Sequence, residues 1–522
     1  MSRDKKNKKH YTNTKDHPIL TRRDFLSRWG TGVVAGSLMF PGTGFASSSV
    51  ESHFSEVDCS NNPNLDLASV CIVDLAGGGH LAGSNFIVGM GTDGAQDDLD
   101  YDVRGVGIGD NHLGVIGAID ESKIDTSLGI KMHADSALLE GIHSIIGSGA
   151  NKYTNSVDGC IFCTTTFDDT TTNQTNISYW LSNLGCVGNF GAALGTKPTK
   201  SGGTSASPNH NKDSKFLPIP IQNEDSLRKL LEINRLANKQ STSDQKKLLK
   251  LIEEVNINGL YQRRDKFSDS LKNRLYCDYK IPYKVLNSFK IEQLLVASGG
   301  HVDQAFSPNG VDRSFERPFN SVDAFKIYSH LLNEKFFGVG TISIAGFDYH
   351  SGNRTLGDSN DRDFGINLGC LIKSTVDLGK NMVVIIITDG GVGTRLKSVS
   401  EDPVTGQLTW NGDRGTASAA VMLAINGEGG TRVEMNKRQI GRVQEYFAGN
   451  YEVANIQTDT LDHPLTSNGD IGLANGIFAN YLALHGLEGD LKKYAGIDVF
   501  TDSSGKSVFG DYRAFGASFK KA

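Results

Sequence analysis

Two uncharged runs rich in β-branched residues most constrain what this chain can fold into. The first is Gly338-Val-Gly-Thr-Ile-Ser-Ile-Ala345, and the second is Met382-Val-Val-Ile-Ile-Ile-Thr388. Apolar runs of this length, bounded by glycine and polar residues, are typical of strands that are buried on both faces. The sequence therefore predicts two strands inside a sheet that is covered by helices.

Each of these two runs ends abruptly in polar residues. The first continues into Gly346-Phe-Asp-Tyr-His350, which offers Asp348 and His350, and the second is followed directly by Asp389. In open α/β sheets the ligand crevice lies just outside the carboxyl ends of the strands. We therefore expect these three side chains at a functional site. The alternative for Asp348 and His350 is a polar loop with an ordinary histidine.

A third strand is predicted earlier in the chain, over 68–74. Asp74 ends the predicted strand, and Leu75-Ala-Gly-Gly-Gly-His80 follows it. Glycines after a strand let the backbone approach a ligand closely or leave room for an ion. A tight turn from strand to helix is an equally good interpretation of the same residues.

Strand and helix patterns alternate through most of the chain. Helical spacing or capping signals occur near 136–143, 177–184, 321–332 and 361–380, and a further buried strand is predicted over 416–425. Such alternation is typical of an α/β protein with a mostly parallel sheet and helices on both faces. Between about 223 and 298 the composition shifts to Lys, Leu, Glu and Asn, which predicts a helical insertion.

Hydroxyl groups are concentrated before the helix predicted at 177–184. Thr170 and Thr171 are candidate nucleophiles or anion binders, because a helix N-terminus favours negative charge. Simple helix capping by Asp169 or Thr170 is the alternative. Arg354 follows the first strand closely and carries a guanidinium group suited to an anionic oxygen.

The first 46 residues resemble a twin-arginine export signal. A lysine-rich start precedes Arg22-Arg23, Phe25 and Leu26, and a mildly apolar, glycine-rich stretch ends in small residues at Ala46. We expect cleavage there, recognition by the twin-arginine export machinery, a periplasmic location and a single α/β domain over 47–522. Because no other run approaches ~20 apolar residues, we expect no transmembrane segment in the mature chain.

The charge balance of the mature chain restricts its partners. Residues 1–46 hold nine of the 53 basic and three of the 59 acidic side chains, so 44 basic and 56 acidic side chains remain, a net charge of −12. Such a balance disfavours nucleic acid and anionic membranes as partners. A small-molecule ligand, anionic or carbohydrate-like, fits better.

Cysteine usage indicates structural roles. The chain contains seven cysteines, so at least one is unpaired within the chain. Cys160-Ile-Phe-Cys163 has the spacing of a redox pair, but in an extended strand its two thiols would face opposite sides. We therefore predict that these two cysteines are structural.

The order of the polar motifs resembles that of a family of exported proteins of unknown function related to the alkaline phosphatase and sulfatase superfamily. The matching motifs occur in this order: Asp74, Gly346-Phe-Asp-Tyr-His350, Thr388-Asp389-Gly390 and Gly412-Asp413-Arg414-Gly415. The resemblance implies a three-layer α/β/α sandwich with a divalent-metal site at the strand ends. It also implies that a Ser or Thr attacks a phosphate or sulfate ester.

Two departures from that pattern bear on the metal and on the activity. Arg414 stands where the family usually has histidine after the aspartate, and Gly390 stands where wider relatives have histidine. Carboxylates with few imidazoles suit Mg²⁺, Mn²⁺ or Ca²⁺ better than Zn²⁺. Arg414 also offers a fixed positive charge in place of a second metal, so a protein that binds an anion without turnover is the alternative function.

Overall fold

The structure is a computed structural model. It describes residues 66–81, 85–87, 121–166, 176–196, 218–231, 250, 254, 257–258, 260–261, 276, 293–307, 321–347, 354–388, 416–446, 450–454, 470–495, 504–507 and 509–519.

An eight-stranded sheet forms the centre of the described chain. Its strands, in chain order, are β1 (Ser69–Ala76), β4 (Val157–Thr166), β5 (Leu194–Gly195), β6 (Ile219–Pro220), β7 (Val339–Ala345), β8 (Asn381–Thr388), β9 (Thr416–Asn426) and β10 (Gln439–Ile440). Two small antiparallel sheets accompany it and consist of β2 (Ile124–Asp125) with β3 (Met132–His133), and β11 (Arg442–Tyr446) with β12 (Asn450–Ala454).

The spatial order of the large sheet is β10-β4-β9-β8-β1-β7-β5-β6. β1 lies between β7 and β8 and is parallel to both. β9 pairs antiparallel with β8 and β4, whereas the remaining neighbouring pairs are parallel. The predicted α/β class with a mostly parallel sheet is therefore confirmed, and the predicted strand at 416–425 is present but runs against its neighbours.

Helices cover both faces of this sheet. Those on the first face are α1 (Ala137–Ile146), α3 (Glu224–Leu231), α4 (His301–Phe306), α5 (Ser321–Asn333) and α6 (Arg354–Asp377). Those on the second face are α2 (Ser178–Asn183), α7 (Asp470–Leu484), α8 (Leu491–Ala495) and α9 (Phe509–Tyr512). Short 3₁₀ turns occur at Glu121–Lys123, Thr154–Ser156 and Glu488–Asp490.

The central strands feed both hydrophobic cores because their side chains alternate between the faces. In β1, Val73 and Leu75 belong to the core of the first face, and Ile72 belongs to that of the second. β8 divides its isoleucines in the same way. Full burial of one such side chain stabilises the fold by roughly 1.5–3 kcal/mol, so strands apolar on both faces hold the two layers of helices to the sheet.

Glycines allow α1 and α6 to pack with their backbones in contact. A Cβ atom on Gly141 would lie 2.2 Å from the carbonyl oxygen of Arg362, and one on Gly365 would lie 2.1 Å from that of Leu138. No larger residue fits either position without moving a helix. This close packing fixes the first half of α6 beside the sheet edge at which β1 and β7 end.

Several predicted boundaries differ from the observed ones. β1 continues to Ala76, so Asp74 lies inside the strand and not at its end. α6 begins at Arg354, earlier than the predicted start at 361, and Arg354 is its first residue. The sequence offers Asp135 or Ser136 as the N-cap of α1, and the structure has Ser136, whose hydroxyl oxygen accepts a hydrogen bond from the Leu139 amide.

Within the described residues, no helix combines the length and the apolar character needed to cross a membrane.

Candidate functional site

The carboxyl ends of the three central parallel strands meet at one edge of the sheet. Ala76 of β1 is in register with Ala345 of β7, and Leu75 is in register with Thr388 of β8. Beyond the strands, the Phe347 amide donates a hydrogen bond of 3.2 Å to the Ala76 carbonyl. This shared edge is called the carboxyl edge below.

Asp74 is the described carboxylate at the centre of this edge. It is fully buried and lies opposite Ser343 of β7 and Ile387 of β8. Its Oδ2 atom accepts a hydrogen bond of 3.0 Å from the Ser343 hydroxyl. Successive side chains of a strand point to opposite faces, and Val73 and Leu75 point to the first face. The Asp74 side chain therefore points to the second face, as Ile72 does.

Further polar side chains lie beside Asp74. Thr341 and Ser343 are two residues apart in β7 and therefore share a face. The Asn176 side-chain amide donates to the Thr341 hydroxyl over 3.1 Å, and the Thr196 hydroxyl oxygen accepts from the Ser343 backbone amide over 2.9 Å. These five residues, Asp74, Asn176, Thr196, Thr341 and Ser343, are called the edge cluster.

The edge cluster also fixes the start of α2. The Asn176 side-chain carbonyl accepts a hydrogen bond of 3.0 Å from the Ser178 amide at the first turn of this helix. Capping by Asp169 or Thr170, one interpretation of the hydroxyl-rich stretch, is therefore wrong, because the helix begins eight or more residues after both of them. Thr170 and Thr171 themselves lie outside the described residues.

The glycine run after β1 forms a tight turn that is bonded to β8. Gly77 and Gly78 have φ angles of 110° and 103°, which residues with a side chain rarely adopt. The Gly79 amide then donates to the Thr388 hydroxyl oxygen over 2.8 Å, and the same hydroxyl donates to the Leu75 carbonyl over 3.1 Å. One side chain of β8 thus holds both the end of β1 and the turn that follows it.

A second polar group lies on the first face, where α6 meets the carboxyl edge. Asp361 is 2% exposed, and its Oδ2 atom accepts a hydrogen bond of 2.7 Å from the Asn85 side-chain amide. The Asn85 amide also donates to the His80 carbonyl over 3.3 Å, and its side-chain oxygen accepts from the Ser136 hydroxyl over 2.7 Å. This Asp361 network connects the turn after β1 to α6 and to the start of α1.

Most of the residues predicted from the sequence to form the site cannot be compared with the structure. The following lie outside the described residues: Thr170, Thr171, Asp348, His350, Asp389, Asp413 and Arg414. Arg354 is described only as the first residue of α6. The residues directly before Asp348 and Asp389 in the sequence, Phe347 and Thr388, both lie at the carboxyl edge beside β1.

The side-chain atoms of the edge cluster that could bind a metal ion are all oxygens. The cluster's single side-chain nitrogen belongs to the amide of Asn176. Carboxylate, hydroxyl and amide oxygens suit hard cations such as Mg²⁺, Mn²⁺ and Ca²⁺, and the predicted Asp ligands are of the same kind. Among the residues described, no three His, Cys, Asp or Glu side chains lie close enough together to hold a metal ion. The predicted metal site therefore remains a prediction that includes residues beyond the described ones.

Sequence reasoning missed the partners of Asp74. A sequence signal for Ser343 was present in β7. There Thr341 and Ser343 alternate with Gly340, Ile342 and Ile344, which places two hydroxyls on one face. Asn176 and Asp361 gave no comparable signal, because each meets its partner only through tertiary packing.

A Ser–His–Asp group occurs elsewhere, between β2 and α1, but its geometry is structural. The Ser127 hydroxyl donates to Asp125 over 2.5 Å, and His143 Nε2 lies 2.8 Å from the same hydroxyl oxygen. In a catalytic group of this kind the serine hydroxyl donates its hydrogen bond to the imidazole, which then accepts the proton. Here the hydroxyl donates to the carboxylate instead. Because Asp125 also accepts from the Ser127 amide over 2.8 Å, the group forms a turn stabilised by an aspartate side chain.

The Cys-x-x-Cys pair has no redox geometry. Cys160 lies in the core of the second face and Cys163 in that of the first, so their side chains point away from each other as predicted. Burial raises the pKa of both thiols above the ordinary value, which keeps them protonated and unreactive. The other described cysteines, Cys71, Cys186 and Cys370, are likewise buried and unbridged.

No family model, curated protein or solved structure matches this chain. The fold and the edge cluster therefore define a class only: an α/β protein with a mostly parallel sheet and a buried carboxylate at its carboxyl edge.

Proposed function

We propose that the protein is an exported, divalent-metal-dependent hydrolase of phosphate or sulfate esters. The observation that carries this proposal is the position of Asp74, a fully buried carboxylate on the central of three parallel strands, two residues before the end of β1. Burying a carboxylate is costly unless hydrogen bonds or a cation compensate it. The Ser343 hydroxyl supplies one such bond, and a bound cation would supply the larger compensation.

Strand spacing supports a shared site for the proposed ligands. β7 and β8 lie on either side of β1, so their backbones are separated by two strand spacings, about 10 Å. In the sequence, Asp348 comes three residues after the end of β7 and Asp389 directly after the end of β8, and Asp74 lies on β1 between these two strands. Carboxylates that reach inward from both sides would lie within range of one cation held at ~2.0–2.6 Å from each oxygen.

The remaining roles follow from the chemistry of the side chains. We assign Asp74, Asp348, His350, Asp389 and Asp413 as metal ligands, within an alkaline-phosphatase-like three-layer sandwich. The bound cation would polarise the ester and stabilise negative charge on its oxygens. Thr170 or Thr171 is the proposed nucleophile, and Arg354 and Arg414 are proposed to grip the anionic group.

Metal content and turnover test this function together. Mature protein would be purified without chelator, analysed for bound metal, and assayed on aryl phosphates and aryl sulfates with Mg²⁺, Mn²⁺, Ca²⁺ or Zn²⁺ added. We expect a bound divalent cation, best activity with one of the harder ions, and loss of turnover in EDTA that is restored by that ion. Absence of both metal binding and turnover would overturn the hydrolase proposal.

Arg414 favours a second candidate function. A guanidinium group after Asp413 offers a permanent positive charge where the resembled family has an imidazole ligand. In that case the protein binds a small anionic or carbohydrate-like ligand without turnover. Saturable binding of phosphate or sulfate by metal-free protein, with no hydrolysis of the ester panel, would support this function over the first.

Export is tested separately from the site. Replacing Arg22 and Arg23 with lysine keeps the charge but removes the paired guanidinium groups of the proposed signal. We expect the variant to remain unprocessed in the cytoplasm, while the unaltered chain reaches the periplasm cleaved after Ala46. Normal processing of the double variant would show that the twin-arginine assignment is wrong.

A further inference from the structure

We infer that Thr388, Asn360 and Asp361 are positioning residues that hold the exits of β1, β7 and β8 in one fixed arrangement for metal binding. This inference rests on the proposed function, since it concerns the geometry of the same site. The exits are residues 77–80 after β1, residues 346–347 after β7, and Thr388 itself at the end of β8. None of the three positioning residues is among the proposed ligands.

Thr388 joins β8 to β1 beyond the regular pairing of the strands. Its hydroxyl oxygen accepts from the Gly79 amide and donates to the Leu75 carbonyl. Gly79 lies in the tight turn that two left-handed glycines create, so this turn is bonded at its far end to the residue just before Asp389. A sheet alone requires no such bond, because the ladder between β1 and β8 ends at Leu75 and Thr388.

Asn360 holds the exit of β7 in a similar way, through its side chain. Its side-chain amide donates to the Gly346 carbonyl over 2.7 Å, and Gly346 has a φ of 98° at the point where the chain turns out of the strand. The next residue, Phe347, donates its amide to the Ala76 carbonyl. The exit of β7 is therefore bonded both to α6 and to β1, two residues before Asp348.

Asp361 ties the exit of β1 to the same turn of α6. It accepts from Asn85, whose amide also donates to the His80 carbonyl. Because Asn360 and Asp361 are consecutive, one helical turn holds the exits of two strands. The helix itself is fixed by the close backbone packing of Gly141 and Gly365, so the arrangement has a rigid support.

The bonds of Thr388, Asn360 and Asp361 hold three neighbouring strand exits in fixed relative positions. Metal coordination demands ligand positions held within about 0.5 Å, and hydrogen-bonded partners behind the ligands supply that precision. Loss of such partners typically weakens metal affinity by about 10–100-fold. The three residues are thus expected to affect affinity more than they affect global stability.

The test compares variants of the mature chain by Mn²⁺ titration and by hydrogen exchange of the segment 77–80. Thr388→Val removes the hydroxyl but keeps the shape of the side chain, whereas Thr388→Ser keeps the hydroxyl and removes the methyl group. Asp361→Asn alters the acceptor of the Asp361 network. Asp377→Asn is the matched control, since Asp377 pairs with Lys152 and Lys373 at the opposite end of the same helix.

We expect Thr388→Val and Asp361→Asn to weaken Mn²⁺ binding about 10–100-fold and to speed exchange in 77–80 about tenfold. Thr388→Ser and Asp377→Asn should stay within about threefold of the unaltered chain. If Thr388→Val keeps both its affinity and its exchange rates, the positioning inference fails while the proposed function stands. If the unaltered chain binds no Mn²⁺ or other divalent ion, the proposed function fails, and unchanged exchange would then overturn the fastening of the exits as well.

Discussion

The two ends of β1 both carry buried polar side chains but use them differently. At the amino end, polar side chains bond to the backbone: the Tyr481 hydroxyl donates to the Ala68 carbonyl over 2.7 Å, and the Ala68 amide donates to His485 Nε2 over 2.9 Å. The Ser69 hydroxyl likewise donates to the Leu332 carbonyl over 2.7 Å. The first two bonds complete the hydrogen bonding of the backbone just before β1, and the third joins β1 to α5.

At the carboxyl end, Thr388 and Thr196 also bond to the backbone, but two further bonds join side chains to each other. Ser343 donates to Asp74, and Asn176 donates to Thr341. The backbone of β1 beside Asp74 is already paired with strands on both sides, so the fold does not require polar groups there. The comparison teaches that polarity at the amino end serves folding, whereas the side-chain pairs at the carboxyl end need another explanation, which the proposed site provides.

Of the substitutions at the two ends of β1, Asp74→Asn should have the largest effect. The amide keeps the shape but loses the charge of a proposed ligand, so we expect turnover to fall about 1,000-fold, or ~4 kcal/mol of transition-state stabilisation. Stability in EDTA should change by no more than about 1 kcal/mol, because a buried charge is also removed. Unaltered metal affinity and turnover in this variant would remove Asp74 from the site.

His485→Ala tests the amino end. The substitution leaves a cavity and deprives the Ala68 amide of its acceptor, which together should lower the free energy of unfolding by about 2–4 kcal/mol. Urea denaturation measures the loss. Mn²⁺ affinity of the folded variant should equal that of the unaltered chain, and a parallel loss of affinity would show that the two ends are not separable.

His485 should also make stability depend on pH. Burial lowers the pKa of this imidazole from 6.5 to about 4. The neutral ring accepts from the Ala68 amide at Nε2 and donates from Nδ1 to the Tyr481 carbonyl. The unfolded chain binds this proton more readily, so the stabilisation is complete above pH about 6.5 and is lost as the pH falls towards 4, by about 3 kcal/mol. His485→Gln should flatten this part of the profile. An unchanged slope would assign it to other groups.

A matched pair of hydroxyl deletions should give the smallest effects. Tyr481→Phe and Ser343→Ala each remove one donor, and each should cost about 1 kcal/mol of stability. Only Ser343→Ala should also weaken Mn²⁺ binding, by about tenfold, because its hydroxyl orients the Asp74 carboxylate. Equal Mn²⁺ affinities for the two variants would contradict the functional difference between the ends.

The central strands and most helices were predictable from local pattern. β7 and β8 are continuous apolar runs, and α1 is capped by Ser136, one of its two candidate caps. The direction of β9 was not predictable, because an apolar strand has the same composition whether it runs parallel or antiparallel to its neighbours.

The candidate site was predictable only in part. Asp74 was identified because it follows an apolar run, and the structure shows it fully buried in β1, two residues before the strand ends. Its contacts with Ser343 and the contact of Asn176 with Thr341 bridge hundreds of residues or cross between layers, and no local pattern encodes them. For the same reason, no local sequence pattern indicated the inferred positioning roles of Asn360 and Asp361 on α6.

The antiparallel direction of β9 has a consequence for how such a protein can change. β8 reaches the carboxyl edge at Thr388 and β9 departs from the same edge at Thr416, so the chain between them both starts and finishes there. Lengthening such an excursion adds only a loop-closure cost that grows with the logarithm of its length. The length of this stretch can therefore change in evolution while the paired strands β8 and β9 stay as they are.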